Sequence, residues 1–491
     1  MRASSLFAVA ALTAGMALPA TASAQATAEV AQELQAGLKA WLSENLRLED
    51  TEVTLIFNGG VDVVPDGGRY LMTIPSATVN FDDEVELVVD PIEVELVPAD
   101  QGRYEVSWTV PARYVFTNPR RNETAELTIG SQHGRGLFDP AYQSMLDVDM
   151  AWNDIAVIPP EDEGTFALAG FSVVADTQET DPGIFDCVYT IALEGFDFLE
   201  NRTGDRINVG LFSIDGSFTG LDLAAYMAFY EEFRTIAAEA EQAMGPDEAL
   251  IGRMQALVDE TPTLMDDASF RYTVTGLDVD AEGQAVVLDE TSLGAALTGM
   301  AGETSELTLT YSGAGLAINP APPFAQYIPT DMDVELGLAN IPNDAIIDAM
   351  SQALGNMGQM GPEGAVMMAG MALQQAMLSL GSEVQMRQFA IVAPSYTVDF
   401  QGSASASSAS PFGAIANATI IIGKLDQLQQ ELMASPMTEE PAQMIAVFQT
   451  MGLEDVDAQG NPARRFEIEL NETGTVLLNG SDMAPILQQM Q

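Results

Sequence analysis

The chain holds one cysteine, one histidine and two lysines among 491 residues, and each shortage removes a class of chemistry. With Cys187 alone, no intramolecular disulfide can form and no thiolate cage for zinc can be built. With His133 alone, multi-histidine metal sites are impossible, and any Ser-His-Asp or Cys-His arrangement must pass through that one residue. Lys39 and Lys424 are the only lysines that could complete a Gly-rich phosphate loop or a Ser-x-x-Lys pair, and neither lies in one. A Gly-x-Ser-x-Gly elbow is missing as well. Trp41, Trp108 and Trp152 are the whole supply of indoles for stacking on sugar rings. Beyond the first residues, no apolar run reaches the roughly 18 to 20 residues of a membrane-spanning helix. The nearest, Ala365 to Leu380, is broken by Gly370 and by the pair Gln374 and Gln375.

Basic residues are scarce too: 18 Lys and Arg face 72 Asp and Glu, for a net charge of −54. Nucleic acid and anionic head groups are therefore poor partners, because their binding relies on clustered cations. The acids are spread along the chain rather than gathered in a tail, which fits a surface adapted to salt; a cation-binding role is the alternative.

What is present describes an exported, folded protein. Hydrophobic residues make up 47% and aromatics 7%, far from the composition of disorder, and the length calls for two or more domains or one long repetitive one. Arg2, the apolar stretch Leu6 to Leu18 and the small-residue site Ala22-Ser23-Ala24 read as a signal peptide over 1–24, removed before Gln25. No cysteine follows that site and no twin arginine precedes it, so the expected location is the periplasm, by general export, with secretion as the alternative.

Val30, Leu34, Leu38, Trp41 and Leu42 share one helical face, which predicts an amphipathic helix to about Leu46. The period then changes to two. Tyr104, Val106, Trp108 and Val110 alternate with polar neighbours, as do Ile92, Val94 and Leu96, and turns such as Pro65-Asp66-Gly67-Gly68 punctuate the runs. Residues 51 to 215 thus read as a succession of short antiparallel strands, with Gly130 to Gly136, including His133, as a loop and Cys187 buried in a strand. A helical block follows, with Leu223, Tyr226, Met227, Tyr230 and Phe233 as its apolar stripe and Pro246 opening a second helix. Strands resume at Phe270, Glu306 and Asp333. Asn343 then reads as the cap of a helical region to Leu380, split in two by Gly355, Gly358, Gly361 and Pro362. Strands over Phe389 to Phe400, helices over Leu425 to Leu432 and Ala442 to Met451, and a closing hairpin end the chain. The expected fold class is α+β, an extended curved antiparallel β-sheet in two related halves with helices packed on one face. The expected division is a β-rich half over 25–245 and an α+β half over 246–491.

Two groups of residues carry candidate sites. Asp278, Asp280 and Glu282, followed by Gly283 and by Asp289 at the twelfth position, have the spacing of a calcium loop, although the flanks are strand-like rather than helical. A hairpin with solvated acids is the competing reading, and Asp455 to Gly460 is a weaker echo. Met350, Met357, Met360, Met367, Met368, Met371 and Met377 crowd one helical region, as plain core, as a flexible apolar ligand or partner surface, or as soft copper ligands. With 72 acids, close carboxylate pairs are certain to occur and none is informative.

The stretch Ala463 to Gly480, a strand, a short turn and a second strand ending in Asn479-Gly480, resembles the closing hairpin of YdgA-like bacterial envelope proteins. The turn-and-strand motifs Asp66 to Tyr70, Gly102-Arg103-Tyr104 and Gly130-Ser131-Gln132 resemble an uncharacterised family of exported proteobacterial proteins. The resemblance transfers no activity and no site. By fold-level analogy it implies a curved β-groove that holds or passes lipid. The leading expectation is a non-enzymatic periplasmic protein with no cofactor, binding a lipid tail or an envelope-protein partner through its sheet and methionine-rich helices. The alternatives are an assembly factor that pairs through exposed strand edges and a carboxylate-based hydrolase.

Overall fold

A computed structural model describes residues 26–45, 53–81, 85–142, 144–159, 164–242, 248–261, 264–433, 445–446 and 448–483. The signal-peptide reading over 1–24, Pro246 and the boundary at 245/246 lie outside them. The architecture is mainly antiparallel β, with helices inserted between strands. Two compact units emerge, Met1–Thr180 with Asp186–Asp215 and Gly276–Gly283, and Asp181–Phe185 with Gly216–Thr275 and Gln284–Gln491.

In the first unit two four-stranded arms leave one edge of a single long strand, Glu123–Asp139. One arm runs Asp62–Asp66, Arg69–Ile74, Ile92–Pro98, Tyr104–Thr109; the other runs Val53–Phe57, Ala77–Phe81, Val85–Val89, Arg113–Asn118. The first arm joins the long strand through Tyr104↔Phe138 to Trp108↔Gly134, the second through Arg113↔Thr128 to Asn118↔Glu123. Where the arms part, the Gln132 side chain replaces the missing ladder. Its amide N–H donates to the Val110 carbonyl at 2.5 Å, and its oxygen accepts from the Val110 N–H at 2.9 Å. Backbone groups that would be stranded at the fork are thereby satisfied.

Alternation decides which side of each arm is inside. Tyr104, Val106 and Trp108 are buried while Glu105, Ser107 and Thr109 are exposed, and Tyr70, Met72, Ile74, Ile92, Val94 and Leu96 repeat the pattern. Leu87, Val89, Tyr114 and Phe116 from the other arm enter the same core, with Val30, Leu34 and Leu38 of the helix Ala28–Asn45. Tyr70 and Tyr104 meet edge to face at 6.3 Å, and the Thr27 N–H donates to the Tyr70 hydroxyl. Burial pushes the Tyr104 phenol up to about 12, with Tyr70 and Glu33 adding to it. Full burial of such side chains contributes roughly 1.5–3 kcal/mol each.

Three expectations for this region need correction. From residue 123 onward the strands are not short, since Glu123–Asp139, Ser144–Ile158, Thr165–Asp181, Ile184–Leu199 and Arg206–Asp222 have 15 to 17 residues each. Gly130 to Gly136 is strand interior, not loop; a Cβ on Gly134 would lie 2.3 Å from the Trp108 ring, so the glycines make room for neighbours rather than a turn. Cys187 is half-buried rather than core, the buried residue of its strand end being Phe185.

The second unit is a meander. Gln284–Thr298, Thr304–Ala314, Asp331–Pro342, Glu383–Val392, Thr397–Ala406, Ala414–Gly423, Pro462–Leu470 and Val476–Leu478 pair in succession, all antiparallel. Helices Leu223–Gln242 and Glu248–Glu260 precede it, Asn343–Leu380 interrupts it, and Leu425–Met433 follows its sixth strand. Asn343 does not cap its helix. Pro342 occupies that position, and the Asn343 amide donates instead to the Gly299, Met300 and Gly302 carbonyls at 2.9, 3.1 and 2.9 Å. Gly361, at φ 73°, breaks the helix in two as expected. In Leu223–Gln242, Leu223 of the expected stripe is buried and Met227 half-buried, whereas Tyr226, Tyr230 and Phe233 are exposed; buried Ile236 and half-buried Phe229 pack on Leu250, Met254 and Leu257.

Candidate functional site

Opposed residues of an antiparallel pair share a face, so the registers of the second unit can be read straight across the meander. One row is Leu293, Tyr311, Val334, Phe389, Phe400, Ile420 and Phe466. Beside it run Ala295, Leu309, Leu336, Met386, Gly402, Ala418, Ile468 and Leu478, then Leu297, Leu307, Leu338, Val384, Ala404, Ala416, Leu470 and Val476. A fourth row starts at Thr291, runs through Gly313, Met332, Ile391, Val398 and Ile422, and ends on Arg464. Apart from those two ends, every position in these rows is apolar or glycine.

Strict alternation alone would not keep Met386 and Phe389 on the same side, because they are three positions apart. The register shifts between them, and on the other edge between Glu335 and Leu336, insert one extra residue and restore the face. Arg387, the residue after Met386, takes the opposite, polar side. There it pairs with Glu306 and Glu335 and donates to Gln385 Oε1 and Thr308 Oγ1, the Glu306 hydrogen bond first among the causes that hold its pKa above the ordinary value.

Among the described residues of these rows only Phe466 and nothing else apolar of its size is buried, beneath Phe448, whose ring meets it edge to face at 6.1 Å. Leu293 is 53% exposed, Val384 47%, and Leu309 and Tyr311 40% each, and the remainder are half-buried. The face is thus a broad apolar floor, with Phe389 and Phe400 edge to face at 6.4 Å near its middle. Contiguous exposed apolar surface of this kind is the mark of an interaction or ligand surface rather than of ordinary solvent-facing protein. Chemically it can exclude water from an apolar chain.

The residues singled out from the sequence lie elsewhere. Met350, Met360, Met367, Met368 and Met371 are exposed on the interrupted helix and Met377 is half-buried, whereas the Met357 side chain lies outside the described residues. Asp278 and Asp280 stand exposed on the strand Asp267–Ala281; Glu282 and Gly283, at φ 52° and 78°, form a two-residue link, and Asp289 is exposed on the strand that follows. Among the described residues no group of three or more His, Cys, Asp or Glu side chains is placed to hold a metal ion. The echo at Asp457 is a structural turn. Its carboxylate accepts from Thr397 Oγ1 at 2.8 Å, from the Asn461 N–H at 2.7 Å and from the Gln459 N–H at 3.0 Å. Burial opposes the charge, but the Asn461, Thr397 and Gln459 hydrogen bonds outweigh it and hold Asp457 below the usual carboxylate range.

Two further polar features stand in the first unit. His133 Nε2 lies 3.0 Å from Asp149 Oδ1 and Arg135 Nε donates to Asp149 Oδ2 at 2.9 Å, so His133 first and Arg135 second lower the Asp149 pKa. All three side chains are solvent-facing or nearly so. An open pocket of about 320 Å³ is lined by Asp90, Glu93, Arg113 and the segment Thr109 to Ala112, with no aromatic ring. Comparison with family models, with curated proteins and with solved structures found no match to this chain.

Proposed function

We propose that the protein is a non-enzymatic envelope protein that binds an apolar chain, such as the tail of a lipid, along the open face of its second-unit sheet. The observation that carries this reading is the set of four parallel apolar rows crossing the meander, left half-exposed over most of their area. Covering such a face with acyl chain removes apolar surface from water at roughly 25 cal/mol per Å². The small residues Gly402, Ala404, Ala416 and Ala418 lower the floor between Met386 and Leu470, which gives a chain a place to lie. Export to the periplasm, the resemblance to YdgA-like proteins and a curved sheet in two related halves belong to the same proposal.

Native mass spectrometry of gently purified protein, followed by solvent extraction, tests it. A bound phospholipid or fatty acid that the Phe389→Asp variant no longer carries is the expected result. An unliganded mass, an empty extract and no uptake of a fluorescent fatty acid would overturn the reading.

A further inference from the structure

We infer that the ligand of the apolar floor is a free fatty acid, its carboxylate held by Arg464 and its tail laid along the fourth row. This rests on the reading of the sheet face and adds the chemistry of the head group. Arg464 is the only charged position in the four rows; it stands across the ladder from Ile422 and shares a face with Phe466. From it the row runs through Ile422, Val398, Ile391 and Met332 to Gly313. Five strand spacings, about 24 Å, separate Arg464 from Gly313, which is the reach of a long-chain acyl tail. At the Gly313 end Tyr311 stands over the row, since a Cβ on Gly313 would lie 3.1 Å from the Tyr311 hydroxyl. At the other end the chain comes down on the arginine, where a Cβ on Gly452 would lie 2.7 Å from the Arg464 Cβ and 2.9 Å from the Phe466 ring. The row thus has a cation at one end only, and an anionic amphiphile fits it in one direction.

Arg464 is also more loosely paired than other arginines of the chain. Arg103, Arg206 and Arg253 hold carboxylates at 2.7, 2.9 and 2.6 Å, whereas Arg464 Nη1 lies 3.6 Å from Glu454 Oε1, on a side chain that is 91% exposed. A ligand carboxylate can displace so wet a partner, and the guanidinium offers it two parallel N–H donors. The Lys424 N–H donates to the Pro462 carbonyl at 3.1 Å, which brings one of the chain's two lysines to the same corner. Acids near it are engaged elsewhere. Asp426 accepts from Gln449 Nε2 at 2.8 Å, Glu431 accepts from Ser395 Oγ and from Gln427 Nε2, and Asp455 faces Arg465, on the opposite side of the strand. Two cations at the end of an apolar row are a local reversal of sign in a chain of net charge −54. A carboxylate, with its single charge, suits that setting better than a phosphate ester, whose second charge would meet the repulsion of the acidic surroundings.

Displacement of the uncharged apolar probe N-phenyl-1-naphthylamine from the full chain tests the head group, with palmitate and hexadecanol as competitors that have the same tail length. Palmitate is expected to displace the probe at a concentration at least about tenfold lower than hexadecanol. Arg464→Gln is expected to abolish that preference by weakening palmitate alone, and Arg464→Lys to keep part of it. Arg465→Gln, on the opposite side of the strand, is expected to leave it unchanged. Should the Arg464 variants fold poorly, the comparison of the two competitors on the wild-type chain decides. Equal displacement by both, or a preference that survives Arg464→Gln, would overturn the carboxylate assignment while the floor remains an apolar site. Lysophosphatidate that outcompetes palmitate, with the same dependence on Arg464, would assign a phosphate head instead. Neither tail binding, by displacement or by calorimetry, would overturn this inference together with the reading it rests on.

Discussion

Tyr70, Leu34, Leu38 and Leu96 in the first unit have no exposed surface, whereas Leu293, Leu309, Tyr311 and Val384 in the second, drawn from strands with the same alternation, are two-fifths exposed or more. Both regions pair antiparallel strands with one apolar side. The difference lies in what meets that side. In the first unit the long strand Glu123–Asp139 carries two arms, and a helix adds Val30, Leu34 and Leu38, so each apolar face finds another. In the second the main strands pair in a single line, with only the short strands Ala317–Asn319 and Leu453–Val456 branching beside it, and its helices leave from the strand ends. Phe448 above Phe466 is the one described aromatic pair that covers its face. Identical local chemistry therefore yields a core in one case and a surface in the other.

The sharpest way to break this comparison is to remove the same atoms from both. Leu38→Ala is expected to cost about 2–5 kcal/mol, because a closed core collapses only partly around the cavity. Leu309→Ala is expected to cost less than about 1 kcal/mol, since water already reaches that side chain. Denaturant melts followed by circular dichroism would measure both, and equal losses would mean that the two faces are equally enclosed.

Gly134→Ala comes next. The new Cβ would fall 2.3 Å from Trp108 Cε2 and 2.5 Å from its Nε1, atoms of a ring held in the core. Overpacking of this kind costs about 1–3 kcal/mol. Adding the same methyl at Gly67, in the open hairpin turn at φ 67°, meets no atom and costs only backbone strain, about 1 kcal/mol. A melt in which the Gly134 variant is no less stable than the Gly67 variant would show that the fork has slack.

These residues also show what was legible beforehand. Alternation at Tyr104, Val106 and Trp108 marked a strand and its inward side, and the 3.6 period at Val30, Leu34 and Leu38 marked a helix, because both signals are local. The glycines at 130, 134 and 136 read as a loop, since the Trp108 ring and the Met145 side chain that require them come from other strands. Asn343 read as a cap because its real partners, the carbonyls at 299 to 302, are distant in sequence. The stripe on Leu223–Gln242 was ambiguous, as that helix is apolar on two sides and only Leu250 and Leu257 decide which is buried. The rows of the open face were visible as alternation at Leu307, Leu309 and Tyr311. Their exposure was not, because it depends on which elements fail to cover them.

A smaller effect tests the second unit's own closed corner by pH. Burial, then the charge of Asp457, raises the Asp399 pKa, while Asp457 itself is lowered. A depressed acid contributes stability above its unfolded value, about 3.9, that is lost as pH falls through the folded value; a raised acid does the reverse. Asp457→Asn is expected to destabilise by about 1–2 kcal/mol at neutral pH, with the deficit shrinking in acid. Asp399→Asn is expected to stabilise slightly at neutral pH and to do nothing once the wild-type carboxyl is protonated. Melts of both variants at neutral and acidic pH would reveal any failure of these opposite signs.

The smallest expected effect on stability is the one that bears most on function. Leu309→Ser and Val384→Ser each remove an apolar side chain that is already wet, and surface changes of this kind fall within about 0.5 kcal/mol. If the face is solvent-facing for its own sake, nothing else should change. If it holds an apolar chain, each substitution exposes part of that chain to water and uptake of a fluorescent fatty acid should fall, with the melting profile unmoved. A loss of stability without loss of uptake would mean that the floor is covered by the protein itself, and the contrast between the two units would reduce to one of degree.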